Sequence, residues 1–152
     1  MIEIYTDGSC LQNGKADSHG GYGVVVVNDG KIIHAYSHFE DNTTNNKQEI
    51  KAILYALINF GKYNPVVYSD SSYCVNTFTN WMFGWANRGW LKSDNSPPEN
   101  LELIKAYYNL IQENNRIDLR KIKGHSGHMY NELADKLATG KLTPDEVMKG
   151  EF

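Results

Sequence analysis

Four acidic side chains stand where a chain could expose them together: Asp7, Glu49, Asp70 and Asp135. Asp7 closes the alternating run Ile2-Glu3-Ile4-Tyr5 at Asp7-Gly8-Ser9, a turn-forming tripeptide that would leave a carboxylate at the mouth of a strand. Asp70 ends a second run, PVVYSD, in the same way, and Glu49 and Asp135 lie in segments of helical period that could reach that mouth. Each also has a plainer explanation. Asp7 suits a turn, Asp70 could cap a helix beginning at Ser71-Ser72, Glu49 follows Asn46 at capping-box spacing, and Asp135 between Ala134 and Lys136 suits a solvated face. Joint placement favours another chemistry. Hydrolysis of a phosphodiester needs a water made nucleophilic near neutral pH and relief of charge on the phosphate and the leaving oxygen. Two divalent ions ~3.5–4 Å apart supply both, and Mg2+ takes hard carboxylate oxygens. Without metal the four groups would repel one another and some pKa values would rise. Bound ions are therefore expected to stabilise the fold as well as to enable the reaction.

His125 and His128 fall in a Gly-flanked stretch, GHSGH, whose composition predicts a mobile loop. No nearby cysteine completes a zinc site. A histidine beside a metal site suits proton shuttling better, because its ordinary pKa near ~6.5 lets it take and give protons at working pH.

The elements that must carry these groups read as follows. MIEIY, YGVVVVN and KIIHAYSHFED are three strands, the last two joined by a tight turn at Asn28-Asp29-Gly30, giving an antiparallel meander. From Asn45 the period changes: Ile50, Ile53, Leu54, Leu57 and Ile58 define an apolar helix face, with Gly61 placed to end it. Pro65 opens a fourth strand, and a right-handed strand–helix–strand crossover would lay it parallel to the first. Asp7 and Asp70 would then stand at carboxyl ends of neighbouring parallel strands, where open α/β sheets bind ligands. SSYCVNTFTNWM reads as a short helix, GWANRGWLKSDNSPPEN as loop, LELIKAYYNLIQENN as a helix, RIDLRKIK as a fifth strand and YNELADKLATG as a final helix ending at Gly140. TPDEVMKGEF has a helix start in Thr143, Pro144 and Glu146 but little length, hence a short docked turn or a frayed tail. The expected fold is α/β, a mixed five-stranded sheet flanked by helices, with a catalytic domain over 1–142 and a tail over 143–152.

A chain of 152 residues suits one domain. Its net charge of −3 is the wrong sign for a surface that collects nucleic acid everywhere, so any such contact must be local or metal-assisted. Cys10 and Cys74 are too few for a disulfide framework, and neither a signal pattern nor a membrane-length apolar run is seen. A cytoplasmic protein with no membrane contact is expected.

TDGSC, the TNNKQE helix start, YSDSSY and GHSGHMYNELAD, in this order, resemble the type 1 ribonuclease H family, and the match runs from Ile2 to about Ala138. The resemblance implies the ribonuclease H fold, endonucleolytic cleavage of the RNA strand of RNA–DNA hybrids, 5′-phosphate and 3′-hydroxyl products, Mg2+ as cofactor (two ions in the substrate complex, with Mn2+ as a substitute), and a monomer. It implies metal ligands at Asp7, Glu49, Asp70 and Asp135 and a catalytic histidine at His125. Asp7 would bridge both ions, Asp135 would share the ion that activates water, and Glu49 with Asp70 would hold the ion nearer the leaving oxygen. Ser9, Cys10, Asn13, Asn45, Asn46 and Gln48 would read the hybrid's minor groove, where 2′-hydroxyls mark the RNA. Thr44 and Asn100 would take a DNA-strand phosphate. Trp81, Trp85 and Trp90 fall in the family's handle, with Trp85 resting on a DNA sugar and Trp81 and Trp90 expected to pack locally.

In this handle Arg88 and Lys92 are offset by Asp94 and Glu99. Counterion release scales with the phosphates neutralised, so weaker hybrid binding and a shallower salt dependence than in a basic-handled relative are expected. A separate hybrid-binding domain before Ile2 is not expected, nor is processive cleavage. Competing readings are a DNA-directed nuclease or recombinase of the same fold, which an assay on hybrid against duplex DNA separates, and a silent nucleic-acid-binding module, which the presence of all four carboxylates disfavours.

Overall fold

The computed structural model describes residues 1–114, 117–124 and 128–152. Five strands form one sheet in the order β3-β2-β1-β4-β5. β1 (Ile2–Leu11), β2 (His19–Asn28) and β3 (Lys31–Asp41) make the antiparallel meander, and β4 (Val66–Ser69) and β5 (Asp118–Lys121) run parallel to β1. Asp29 and Gly30, at φ 50° and 81°, form the two-residue hairpin turn. β5 is shorter than the sequence pattern: Ile117 and Ile122 flank the strand rather than extend it.

The four consecutive valines of β2 are fully buried because helices cover both faces of the sheet. Val24 and Val26 join Ile4 and Val67 beneath α1 (Asn45–Phe60) and α4 (Leu101–Asn114) in a first core. Val25 and Val27 join Tyr5 beneath α5 (Met129–Thr139) in a second. Among the described residues no helix is long and apolar enough to cross a membrane.

Several local expectations are corrected. Asp7-Gly8-Ser9 is not a turn: β1 continues to Leu11, paired with β2 through Cys10↔Gly20 and Leu11↔His19. What ends at this point is the parallel pairing, whose last rung is Thr6↔Ser69. Gly61 leaves α1 in right-handed geometry and starts a further turn, and the left-handed residue is Asn64 at φ 51°. The short helix after β4 is α2 (Ser72–Asn76), a π-helical turn over Thr77–Trp81, and α3 (Met82–Asn87), so residues 84–87 are helical rather than loop. The C-terminal segment forms α6 (Pro144–Met148): Thr143 and Glu146 complete a reciprocal capping box, and Val147 is buried in the second core.

Candidate active site

Asp7 lies one residue past the last parallel rung, so its side chain opens into the crevice where β1 and β4 part company. Gly8 admits the partner element. A Cβ there would stand 2.4 Å from the Glu49 amide nitrogen and 2.6 Å from the Gln48 carbonyl carbon, so only glycine lets the first turn of α1 press against β1. Gly23 does the same on the opposite face, where a Cβ would fall 2.3 Å from the Ala134 carbonyl oxygen; α5 therefore lies close enough for Asp135 to reach the crevice.

The plainer roles proposed for the carboxylates are taken by their neighbours. Thr44 is the N-cap of α1, accepting from the Lys47 amide, which removes the capping-box role imagined for Asn46 and Glu49. Ser71 caps α2 by accepting from the Cys74 amide, leaving Asp70 for the crevice. Asp135 is half-buried and hydrogen-bonded to Asp7 rather than solvated on an outer face.

One carboxylate oxygen from each of Asp7, Glu49 and Asp70 lies within 4.8 Å of the others. Asp7 and Glu49 are buried, and Glu49 Oε2 has no hydrogen-bond partner. Asp135, Ser9, Asn45, Asn46 and Ser71 line the same cleft, of about 410 Å³. Burial pushes the Asp7 pKa far up, with Glu49 and Asp70 adding repulsion and hydrogen bonds to Glu49 and Asp135 favouring the proton. Burial and Asp70 likewise raise Glu49, against smaller downward pulls from Asp7 and the Gly8 amide. Without a cation, burial and mutual repulsion favour the protonated form of both groups. An all-oxygen donor set with one buried oxygen lacking a partner fits a divalent ion.

The minor-groove candidates separate. Asn13 Oδ1 accepts from the Asn45 amide at 3.0 Å, and the Cys10 thiol donates to the Thr43 carbonyl at 3.5 Å, so the far end of β1 and the start of α1 form one polar lip beside the cleft. Gln48 is not on it. Its side chain is fully buried, with Nε2 donating to Glu40 Oε1 and Thr43 Oγ1, both at 2.6 Å. Asn100, left-handed at φ 59°, stands before α4 and donates to the Tyr73 hydroxyl. Trp85 and Trp90 pack on the first core, Trp90 edge-on to Tyr108. Trp81 is partly exposed, with its ring tilted against that of Trp85, the local packing expected of it. His125 lies outside the described residues, whereas Gly124 before it is placed against Asp70, where a Cβ would come within 2.8 Å of Oδ2. Ser71 is a cleft residue that the sequence reading passed over; its position after the strand-ending Asp70, three before the residue whose amide it caps, was the available signal.

The RNase H family model matches residues 1–143. The chain is 40% identical over 144 residues to a Ribonuclease H of a Thermoanaerobacter species, covering 93% of this chain and 90% of that one. It is 43% identical over 141 residues to a Ribonuclease H of Mannheimia succiniciproducens, covering 91% and 85%. A crystal structure of LC9-RNase H1, described as a type 1 RNase H with the type 2 active-site motif, superposes with a TM-score of 0.78 at 31% identity over 91% of this chain and 70% of that one. The solution structure of the prototype foamy virus RNase H domain, at 24% identity and a TM-score of 0.81, shares the fold and covers 91% of this chain and 92% of its own. A buried carboxylate cluster at the strand crevice, in a chain matched almost end to end by the family model and by relatives at about two residues in five, establishes that this chain belongs to the ribonuclease H family.

Proposed function

We propose that the chain hydrolyses the RNA strand of RNA–DNA hybrids endonucleolytically, leaving 5′-phosphate and 3′-hydroxyl ends. The observation that carries the reading is the buried triad of Asp7, Glu49 and Asp70 with its unpartnered Glu49 oxygen, set in a ribonuclease H chain. Asp7, Glu49, Asp70 and Asp135 would hold two Mg2+ ions, with Mn2+ as a substitute. When bound, the ions supply a nucleophilic water near neutral pH and neutralise charge on the phosphate and leaving oxygen.

The chain's own residues do the rest. Asp7 stands among Glu49, Asp70 and Asp135, where its carboxylate adds to the charge that draws a cation into the cleft. Burial of Asp7 and Glu49 excludes bulk water and strengthens every charge interaction in the cleft. Ser9, Cys10, Asn13, Asn45 and Asn46, on the lip, present short polar groups and backbone amides to 2′-hydroxyls, which is how RNA is told from DNA. Thr44, Asn100 and Trp85 take the DNA strand. His125 moves the proton, a role that rests on the sequence motif. The chain acts as a monomer, and its free thiols Cys10 and Cys74 support a reducing compartment, the cytoplasm.

Cleavage of an end-labelled hybrid tests the reading directly. Mg2+ should give internal cuts in RNA alone, chelator should abolish them, and duplex DNA of the same sequence should stay intact. Cleavage of duplex DNA with the hybrid spared would overturn it.

A further inference from the structure

A groove of about 630 Å³ adjoins the carboxylate cleft and shares Ser9 with it. It runs from the end of β1 across the start of β2 to the end of β3, and the C-terminal turn of α5 walls its other side. Leu11 and Phe39 face it although 62% and 52% exposed, a cost in apolar surface that the fold itself does not explain. Phe39 is nevertheless held in place. Its ring lies on Gly21, where a Cβ would come within 2.4 Å of Cδ1, and near Gly140. Thr139 lies four residues beyond Asp135 on α5, so one helix face leads out of the cleft and into the groove. His19 and Lys141 stand on the rim. Of the acidic groups there, Glu40 is already held by Lys51 and Gln48, and Asp41 leaves the β3 end negative, so an anion belongs on the Lys141 side.

We propose that this groove is the track of the RNA strand beyond the scissile phosphate, with Phe39 and Leu11 against a ribose and Lys141 at the next phosphate. The proposal rests on the hybrid-cleaving function above and adds a subsite to it. An exposed ring against a sugar face, with a cation one step along, matches the alternation of apolar and anionic surface along a nucleic-acid backbone. Continuity with the cleft through Ser9 and α5 selects the strand being cut over its DNA partner.

The test uses the full chain and hybrids with a single cleavable ribonucleotide linkage, whose RNA-containing strand ends at increasing distances on either side of it. Phe39→Ala and Lys141→Ala should each raise KM for the long strand about fivefold with kcat unchanged. The difference from the parent should vanish once the strand is shortened on one side, and persist when it is shortened on the other. In chelator, where the strand is bound but not cut, Lys141→Ala should lower the slope of log affinity against log salt by about 0.9, whereas Phe39→Ala should leave the slope unchanged. Unchanged KM in both variants, or an effect equal on both sides of the cut, overturns the subsite. Failure of the parent chain to cut any hybrid would instead refute the parent reading, so the two failures are distinct. Matching thermal melts for Lys141→Ala and the parent keep the result independent of any folding defect in Phe39→Ala.

Discussion

Two glutamates nine residues apart have opposite surroundings. Glu40, at the end of β3, accepts from Lys51 and from Gln48; burial alone would raise its pKa, but those bonds outweigh it and hold the carboxyl below its usual range. Glu49, one turn into α1, is more deeply buried, faces Asp7 and Asp70, keeps one oxygen without a partner, and is pushed up. Glu40 is satisfied by the protein and ties the end of β3 to α1. Glu49 keeps Oε2 without a partner from the protein. A carboxylate completed by its own protein ties elements together, whereas one left among like charges gains stability when a cation binds.

The sharpest way to break that contrast is Asp7→Asn. Hydrolysis should fall by about 10^2–10^3-fold, the loss typical of a preorganised electrostatic group. Removing a carboxylate from a repulsive cluster should also leave the metal-free fold as stable as the parent or a few degrees higher in Tm. A variant that instead unfolds would give Asp7 a structural role like that of Glu40. Next comes Gly8→Ala, which forces α1 away from β1 and separates Asp7 from Glu49. It should cost ~1–3 kcal/mol in urea unfolding and also weaken stabilisation by Mg2+.

The pH dependence carries the same logic with its sign fixed. The folded-state pKa values of Asp7 and Glu49 lie above ordinary carboxylate values, so the metal-free fold binds more protons than the unfolded chain. Its stability is greatest below about pH 4 with respect to these two groups and falls as pH rises through their raised values. Melts in chelator should therefore lose several degrees between pH 5 and pH 8 relative to melts in Mg2+, whose contribution at a hundredfold excess over Kd is ~2.7 kcal/mol. The smallest effect belongs to the satisfied partner. Glu40→Gln should cost about 1–2 kcal/mol, between the exposed and buried limits for a broken pair, and leave the Mg2+-induced Tm shift unchanged.

Long-range architecture was legible in the sequence because it follows from periodicity. The β-branched run of β2, the helical spacing of α1 and the change of period around Pro65 give the meander and place β4 beside β1 once right-handed crossover is granted, whereas the position of β5 at the edge comes from the structure. Local turns were less legible. Asp-Gly-Ser is turn chemistry by type, but in β1 the glycine is required by a neighbouring helix and the strand runs on. Gln48 was expected to contact substrate alongside Asn45 and Asn46. Its side chain is instead fully buried and donates to Glu40 and Thr43. The carboxylates could be named individually, yet Glu49 and Asp70 were not distinguishable from capping groups, whose positions Thr44 and Ser71 occupy.

All three tryptophans of the chain lie between residues 81 and 90, just before, within and just after α3, with Trp81 exposed, Trp85 beside it and Trp90 against Tyr108. Indole emission from this protein is consequently a local gauge. It reports the environment of one surface segment, while circular dichroism averages over every helix and strand. Denaturation curves from the two probes would coincide only if that segment melts in step with the sheet, which makes their superposition a ready check on whether the molecule unfolds as a single cooperative unit.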